Sequence, residues 1–276
     1  MKPRAVQQDV RSHRRHSMAD ATVTPFLRFG KRLAEIHQVL VVSMRGLHDL
    51  GRSFPLVRAV EAHRRATEGR SKRAERLLEL TRQQAALARR EVKRDFPLLH
   101  AHAIVAIWSA LETVAEDALA AHVRADRGVL KNEALKRIRV SLVEYEQLDY
   151  EARARLVAKE VQTALGAELK RGIGRFQALF ELLGAQVKID DAMRRIFFEL
   201  NCLRNAIVHN SSIVDRKLAE EVPWLKVRVG QPIEVSHRMY ERYFKVSHDY
   251  LLSVVNALTD KLSRERKRPK RDLTNR

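Results

Sequence analysis

The positions of the hydrophobic residues along the chain predict an all-α protein. Between residues 25 and 50 they recur three or four positions apart, which is the spacing of one face of an α-helix. Gly51 and Pro55 then interrupt the pattern and predict a break, after which helical spacing resumes over residues 56–68. The apolar positions of the first helix are Phe26, Leu33, Ile36, Leu40, Met44 and Leu47.

A third helix is predicted over residues 71–93, where charged side chains surround a single apolar stripe. A charged helix of this kind usually docks its stripe on another surface. We therefore interpret residues 25–94 as an N-terminal helical extension whose role is packing or self-association. The stripe consists of Ala74, Leu77, Leu78, Leu80 and Ala85.

The pattern changes at Pro97, because residues 98–123 are mostly apolar and predict a largely buried helix. Residues 130–150 are ambiguous, since part of this segment alternates apolar and polar residues at the period of a strand. Helical spacing returns over residues 151–170 and again, after a glycine-rich break, over residues 176–183.

The clearest helix of the chain ends at His209. Asp190 or Asp191 can cap its N-terminus, because a short acidic side chain accepts hydrogen bonds from the free backbone N–H groups there. Four apolar residues then fall at positions i, i+4, i+7 and i+11, which predicts one buried face. These residues are Ile196, Leu200, Leu203 and Ile207.

Two further elements follow that helix. Apolar and charged residues alternate from residue 225 to residue 229, and the turn sequence Gly-Gln-Pro comes directly after them at residues 230–232. This pattern, with apolar residues again at 233 and 235, predicts a small β-hairpin insertion over residues 225–235. A long final helix is predicted over residues 237–262.

The charge of the chain narrows the choice of partner. The formal charge is +19 at pH 7, and residues 1–32 and 261–276 each carry eight Lys and Arg against two acidic residues, which makes each end +6. Such an excess favours a nucleic acid or an anionic membrane surface, the alternative being a basic protein that is merely soluble. We expect residues 1–24 to be a disordered basic arm and residues 265–276 a basic tail.

The compartment can also be predicted from the sequence. Cys202 is the only cysteine, so no internal disulfide can form, which suits a reducing cytoplasm. The basic N-terminus is followed by no apolar run and does not resemble a secretory signal. The longest apolar stretch, residues 101–111, is shorter than the roughly 20 residues that span a bilayer. We expect a cytoplasmic protein without a membrane span.

Candidate chemistry lies at the end of the helix that His209 closes. Arg204 and His209 are separated by four residues, but three other Arg/His pairs share this spacing, so the spacing alone carries no information. Only Arg204 is followed by a side-chain amide, Asn205, and only His209 ends a helix with a well-formed apolar face. The other pairs are Arg11/His16, Arg32/His37 and Arg58/His63.

Helix geometry separates these polar residues from the buried face. Asn205 and His209 are one turn apart and share a side, while Arg204 lies about 100° around the axis from Asn205. The apolar face lies roughly opposite Asn205. The helix can therefore pack on its own domain and present Asn205, His209, Asn201 and Cys202 to a partner surface.

Residues 95–264 resemble the HEPN superfamily (higher eukaryotes and prokaryotes nucleotide-binding), in particular its RiboL-PSP-type group. The sequence RNAIVHN, from Arg204 to Asn210, resembles the Arg-polar-x3-His signature of the ribonuclease members. The segment AIVAIWSALETVAEDAL resembles the first core helix, and GRFQALFELLG through NSSIVD resembles the segment that contains the signature. Residues 1–94 have no counterpart in the family pattern.

The resemblance implies an HEPN-like helical bundle that dimerises through the helix of residues 190–209. Arg204 matches the motif arginine, Asn205 the polar residue and His209 the motif histidine. The same residues from both protomers would line one cleft. Family members often carry a further polar or acidic residue on the first core helix, for which Glu112 is the candidate.

These residue types suit RNA cleavage without a metal or cofactor. RNA supplies its own nucleophile, the 2′-hydroxyl, so the protein needs an acid, a base and positive charge for the phosphorane. Histidine titrates near neutral pH, and arginine offers fixed donors to phosphate oxygens. No ligand cluster is expected, because His100 and His102 face apart on a helix. The products implied are a 2′,3′-cyclic phosphate and a 5′-hydroxyl.

We therefore expect a homodimeric endoribonuclease of a toxin-like or defence-associated kind, acting on RNA and controlled by an antitoxin or regulatory protein. One alternative is a non-catalytic HEPN-type module that binds RNA or nucleotide, or serves as a dimeric scaffold. A third interpretation is a helical protein that compacts DNA with its basic arms. His209 could also be a helix cap, and Glu112 the partner of an arginine.

Overall fold

A computed structural model of the chain describes residues 4–125, 138–166 and 171–267, with side chains from residue 23 to residue 264. Helices are the only regular secondary structure in these ranges, which confirms the all-α class. A 3₁₀ turn, Pro223–Leu225, is added to them. The α-helices are α1 (Arg4–Glu68), α2 (Lys72–Lys93), α3 (Pro97–Ala125), α4 (Leu142–Gln147), α5 (Tyr150–Ala164), α6 (Gly174–Leu182), α7 (Asp191–His209), α8 (Arg216–Glu221) and α9 (His237–Lys267).

The chain forms two compact units. The first takes in the described parts of Met1–Leu33, Ile107–Cys202 and Lys245–Arg276, and the second takes in Ala34–Ala106 and Leu203–Phe244. Helices α1, α3, α7 and α9 contribute residues to both. Each unit therefore draws on residues from both sides of the boundary predicted between residues 94 and 95.

The core of the first unit is built around aromatic side chains. The ring centroid of Trp108 lies 5.1 Å from that of Phe176, and Phe180 lies 5.4 Å from Phe26 and 6.0 Å from Tyr250. Tilted rings at these distances are favourable contacts beyond the area they bury. Aliphatic residues of α3 are also buried in this unit, namely Ile107, Leu111, Val114 and Leu119.

In the second unit, α1 and α2 run antiparallel. Arg89 contacts Gly51, and Arg65 pairs with Glu75 at 3.6 Å, so positions pair in opposite directions along the two helices. Small buried residues of α2, Ala85 and Ala88, are completely covered here. Further buried side chains of this unit are Leu40, Ile104, Leu203, Val214, Leu218, Val235, Tyr240 and Tyr243.

Helix α1 continues through the predicted break at Gly51 and Pro55, so that prediction was wrong. Pro55 lacks the N–H group that would bond the carbonyl of Gly51, four residues earlier. Arg89 of α2 donates from Nη1 to that carbonyl at 3.3 Å, and the Ser53 hydroxyl donates to the carbonyl of Leu50 at 3.0 Å. The Arg89 side chain thus replaces the backbone donor that proline removes, and the helix persists.

The predicted ends of the chain overlap with α1 and α9. Helical backbone begins at Arg4, inside the segment predicted as a disordered arm, residues 1–24. At the other end α9 reaches Lys267, and the rest of the predicted basic tail lies outside the described residues. Part of the ambiguous segment 130–150 also lies outside them, and its described part, from residue 138, contains α4 and no strand.

The predicted β-hairpin over residues 225–235 is absent from the described structure, which corrects the sequence prediction. A turn does form at Gly230, whose φ is +84°. The residues beside it pair with the segment after α7 instead: the Gly230 N–H donates to the Val214 carbonyl at 2.8 Å, and the Val214 N–H donates to the Gln231 carbonyl at 2.9 Å. The segment after α7 therefore takes the place that the other hairpin strand was expected to fill.

Helix α3 is long and apolar enough to cross a membrane by length and composition alone. Its most apolar 18-residue window has a mean hydropathy of 1.4. Half of that window is buried within the protein, as in the core helix of a soluble protein. Its burial agrees with the core position predicted for residues 98–123.

Candidate functional site

The candidate site stands on α7, whose start is fixed by Asp190. The Met193 N–H donates to Asp190 Oδ1 at 2.7 Å, so Asp190 is the capping residue and Asp191 is the first residue of the helix. An acidic cap also interacts favourably with the positive end of the helix dipole. The sequence left both residues open as caps, and the structure selects the first.

The buried side of α7 is broader than the predicted stripe. Leu200 and Leu203 are buried as predicted, whereas Ile196 and Ile207 are half-exposed. Cys202 was predicted to face a partner, and this was wrong because its side chain is buried. The helix is covered on more than one side, which a single stripe does not capture. Its buried residues are Phe197, Glu199, Leu200, Cys202, Leu203 and Ala206.

The last turns of α7 carry the candidate residues Arg204, Asn205 and His209. Asn205 and His209 are exposed and lie one turn apart, while Val208 between them is 48% exposed. Arg204 is half-buried, and its Nη1 donates to Asn205 Oδ1 at 3.0 Å. The guanidinium is thus directed by the neighbouring amide, and an accessible imidazole stands at the end of the same helix.

The chain leaves α7 through a turn held by side-chain hydrogen bonds. Asn210 Nδ2 donates to Asp215 Oδ2 at 2.5 Å, and Asp215 Oδ1 accepts the Leu218 N–H at 2.7 Å, which caps α8. Between them Ser211 and Ser212 adopt left-handed backbone conformations, with φ of +53° and +59°. Such residues persist where the surroundings hold them. The helix end that carries His209 is therefore fixed on its C-terminal side.

Glu112 belongs to the first unit, whereas Arg204, Asn205 and His209 belong to the second. Its Oε1 accepts the Trp108 indole N–H at 3.1 Å and lies 2.8 Å from Arg175 Nη1. The indole is fully buried, so this carboxylate satisfies a donor that would otherwise lose its hydrogen bond. The structure thus gives Glu112 two structural partners, and its catalytic role stays a prediction.

A second polar cluster lies in the second unit and was missed by the sequence analysis. His100 is completely buried, and its Nε2 lies 3.3 Å from His237 Nδ1, while His237 Nε2 lies 3.2 Å from Glu241 Oε1. The rings of His100 and Tyr240 stack at 5.6 Å. His100 and His237 are 137 positions apart, so no local pattern could have joined them. His102 is exposed whereas His100 is buried, so the two face apart, as the i, i+2 spacing predicted.

Burial shifts the pKa values of His100 and Tyr240 in this cluster. It lowers the pKa of His100 below its ordinary value, the nearby His237 adds to the lowering, and the Asp95 carboxylate opposes it. Burial also raises the pKa of Tyr240 to about 12, so its hydroxyl stays protonated. That hydroxyl lies 3.1 Å from Nδ1 of His37 on α1. The cluster therefore links α1, α3 and α9.

Across the parts of the chain that the structure describes, no three His, Cys, Asp or Glu side chains converge to hold a metal ion.

Comparison with known proteins gives no relative: no family model, curated protein or solved structure matches this chain.

Proposed function

We propose that this protein is a homodimeric endoribonuclease of the HEPN type, in which Arg204, Asn205 and His209 act together. The observation that carries the proposal is the exposure of Asn205 and His209 at the end of α7, where Arg204 donates a hydrogen bond to the side-chain amide of Asn205. An exposed imidazole and a guanidinium directed by an amide, both on the last turns of α7, are the kinds of group that cleavage by the 2′-hydroxyl requires. In a cytoplasmic setting, such an enzyme would act as a toxin-like or defence-associated nuclease.

The roles follow from the chemistry of each side chain. His209 would take the proton of the 2′-hydroxyl or deliver one to the leaving 5′-oxygen. Arg204 stays protonated and would neutralise the charge that builds on the phosphorane oxygens. Asn205 would hold the guanidinium in place, as its hydrogen bond to Nη1 indicates. The O2′–P bond forms as the P–O5′ bond breaks, which leaves a 2′,3′-cyclic phosphate and a 5′-hydroxyl.

One protomer supplies a single histidine at this helix end, whereas the reaction uses both an acid and a base. A two-fold dimer through α7 would bring two copies of His209 and of Arg204 to one cleft. Val208, almost half exposed between Asn205 and His209, gives that surface an apolar centre. The net charge of +19 would draw RNA to the cleft.

The test is cleavage of a fluorescently labelled RNA by purified protein in EDTA. We expect wild-type protein to produce 2′,3′-cyclic phosphate ends, and His209→Ala to lose activity by about 10²-fold or more, the usual contribution of a general acid or base. His63→Ala is the matched control, because Arg58 and His63 have the same spacing and are exposed on α1. That variant should cleave like the wild type.

Two results would overturn the proposal. One is equal cleavage by wild-type and His209→Ala protein. The other is RNA that binds with steep salt dependence but stays intact, which would assign the protein to the non-catalytic RNA-binding alternative.

A further inference from the structure

Helices α1 and α2 form an open apolar groove in the second unit, beside the turn that joins them. Its volume is about 540 Å³. Three apolar residues of α1 and three of α2 line it: Leu56, Val57, Val60, Ala74, Leu77 and Leu78.

The groove is a surface feature and not an enclosed cavity. Leu56, Val60 and Leu77 are 68%, 60% and 61% exposed. A pocket for a small molecule usually covers most of its ligand, which walls this exposed cannot do. Large apolar side chains left open together instead mark a site where another macromolecule docks.

The dimensions of the groove suit a helix. It follows α1 from Leu56 to Arg64, which at 1.5 Å per residue is about 12 Å. An amphipathic helix presents side chains at i, i+4 and i+7 over about 10 Å of its axis. Two turns of such a helix would therefore fill the groove along its length.

The charge around the groove indicates what kind of helix would bind there. Residues 51–82 contain nine Lys and Arg against four Glu, a net charge of +5. Glu61, at the groove, already accepts hydrogen bonds from Arg64 at 3.0 Å and from Arg65 at 3.3 Å. Arg73, which also lines the groove, pairs with no carboxylate among the described residues. The positive charge left over would attract carboxylates of a ligand.

We propose that this groove binds an acidic amphipathic helix of a partner protein, with the apolar side chains of that helix between α1 and α2. A second copy of this chain is disfavoured as the occupant, because residues 51–82, with a net charge of +5, would then face the same residues of the other copy. A lipid bilayer is disfavoured because it is flat, whereas the groove is concave. The proposal is independent of the ribonuclease activity.

The probe is a synthetic peptide of about 18 residues, or five helical turns, with leucine at i, i+4, i+7 and i+11 and mainly glutamate elsewhere. A matched peptide carries lysine in place of glutamate. Fluorescence anisotropy with the full-length chain measures binding, and circular dichroism measures helix formation in the peptide. We expect the acidic peptide to bind, to gain helicity and to bind less well as salt rises, while the basic peptide does not bind.

Variants locate the binding site. Val60→Ser combined with Leu77→Ser should weaken binding about tenfold or more, which corresponds to about 1.4 kcal/mol. Both side chains are exposed, so the fold should persist, and the circular dichroism of the chain checks this. Leu252→Ser is the matched control, because Leu252 is 50% exposed on α9. Arg73→Gln should weaken binding and reduce its salt dependence.

The proposal is overturned if both peptides bind equally, or if the double variant binds the acidic peptide like the wild type. It is also overturned if the wild-type chain and the Leu252→Ser control are dimers while the double variant is a monomer, since a second copy then occupies the groove. A further contrary result is a wild-type chain that binds anionic phospholipid vesicles and neither peptide, together with a double variant that loses the binding to vesicles. That result would assign the groove to a membrane. None of these measurements uses RNA, so their failure leaves the ribonuclease proposal standing.

Discussion

At the scale of single residues, the protonation of His100 depends on its burial. The ring is completely covered and shares a hydrogen bond with His237, so a positive charge there would lose its hydration. Opposite effects come from Asp95, whose carboxylate favours the charged form, and from His237, which disfavours it. Burial is the largest of these effects, and the neutral ring is the stable state of the fold.

Stability should therefore fall as the pH drops through the ordinary pKa of histidine, about 6.5. The unfolded chain binds a proton there, whereas folded His100 resists it because its pKa is lowered. The contribution is fully present above pH 6.5 and is lost as the pH falls towards the folded-state pKa. Urea unfolding at pH 7.5, 6.5 and 5.5 measures this loss of unfolding free energy.

The variant His100→Gln removes the titration, so its stability should depend less on pH over that range than that of the wild type. His248→Gln is the control, because His248 is exposed on α9 and pairs only with the adjacent Asp249 among the residues described. Equal pH dependence in the wild type and His100→Gln would contradict this account.

At the scale of elements, α1 and α2 approach closely at Gly51. A methyl group at this position would lie 3.2 Å from Arg89 Cγ and 3.6 Å from the Arg89 backbone nitrogen. Glycine thus permits the approach, and the approach lets Arg89 reach the carbonyl that Pro55 leaves free. Gly51, one of the two residues that predicted a break, is thus part of the contact that keeps the helix continuous.

Two glycines of α1 should respond oppositely to substitution. Gly51→Leu should destabilise the protein by about 1–3 kcal/mol, because the larger side chain forces the two helices apart. Gly46→Ala should stabilise it by about 0.5–1 kcal/mol, because nothing lies within 4 Å of the added methyl and alanine favours the helix. Chemical denaturation gives both values. Destabilisation by both changes would show that Gly46 is also packed.

At the scale of the whole molecule, the proposed site needs two chains. Size-exclusion chromatography with light scattering should give the mass of a dimer, and Val208→Arg should give that of a monomer. The arginines would face each other across the two-fold axis and place like charges in an apolar contact. Cleavage of RNA should be lost together with the dimer.

Val229→Arg is the control for this variant, because Val229 is 59% exposed in the turn after the 3₁₀ segment. It should keep both the mass and the activity of the wild type. An active monomeric Val208→Arg protein would rule out a site shared between two chains.

Local features of the sequence were enough to place most helices. Pro97 begins α3, and Asp190 caps α7, because both effects act within one turn of the chain. The face of α7 was predicted only in part: Leu200 and Leu203 are buried, but so is Cys202. How much of a helix is covered depends on how many other segments pack against it. A single apolar stripe in the sequence does not give that number.

The sequence by itself determined the all-α class, the helix that carries Arg204, Asn205 and His209, and the excess of positive charge. These follow from the local preferences of residues and from composition. Only the tertiary structure decided that α1 passes through Pro55, and that the segment after α7 pairs with the turn at Gly230. It alone brought His100 to His237 and left the groove between α1 and α2 open. Each of these depends on groups far apart in the chain, which meet only after the helices have packed.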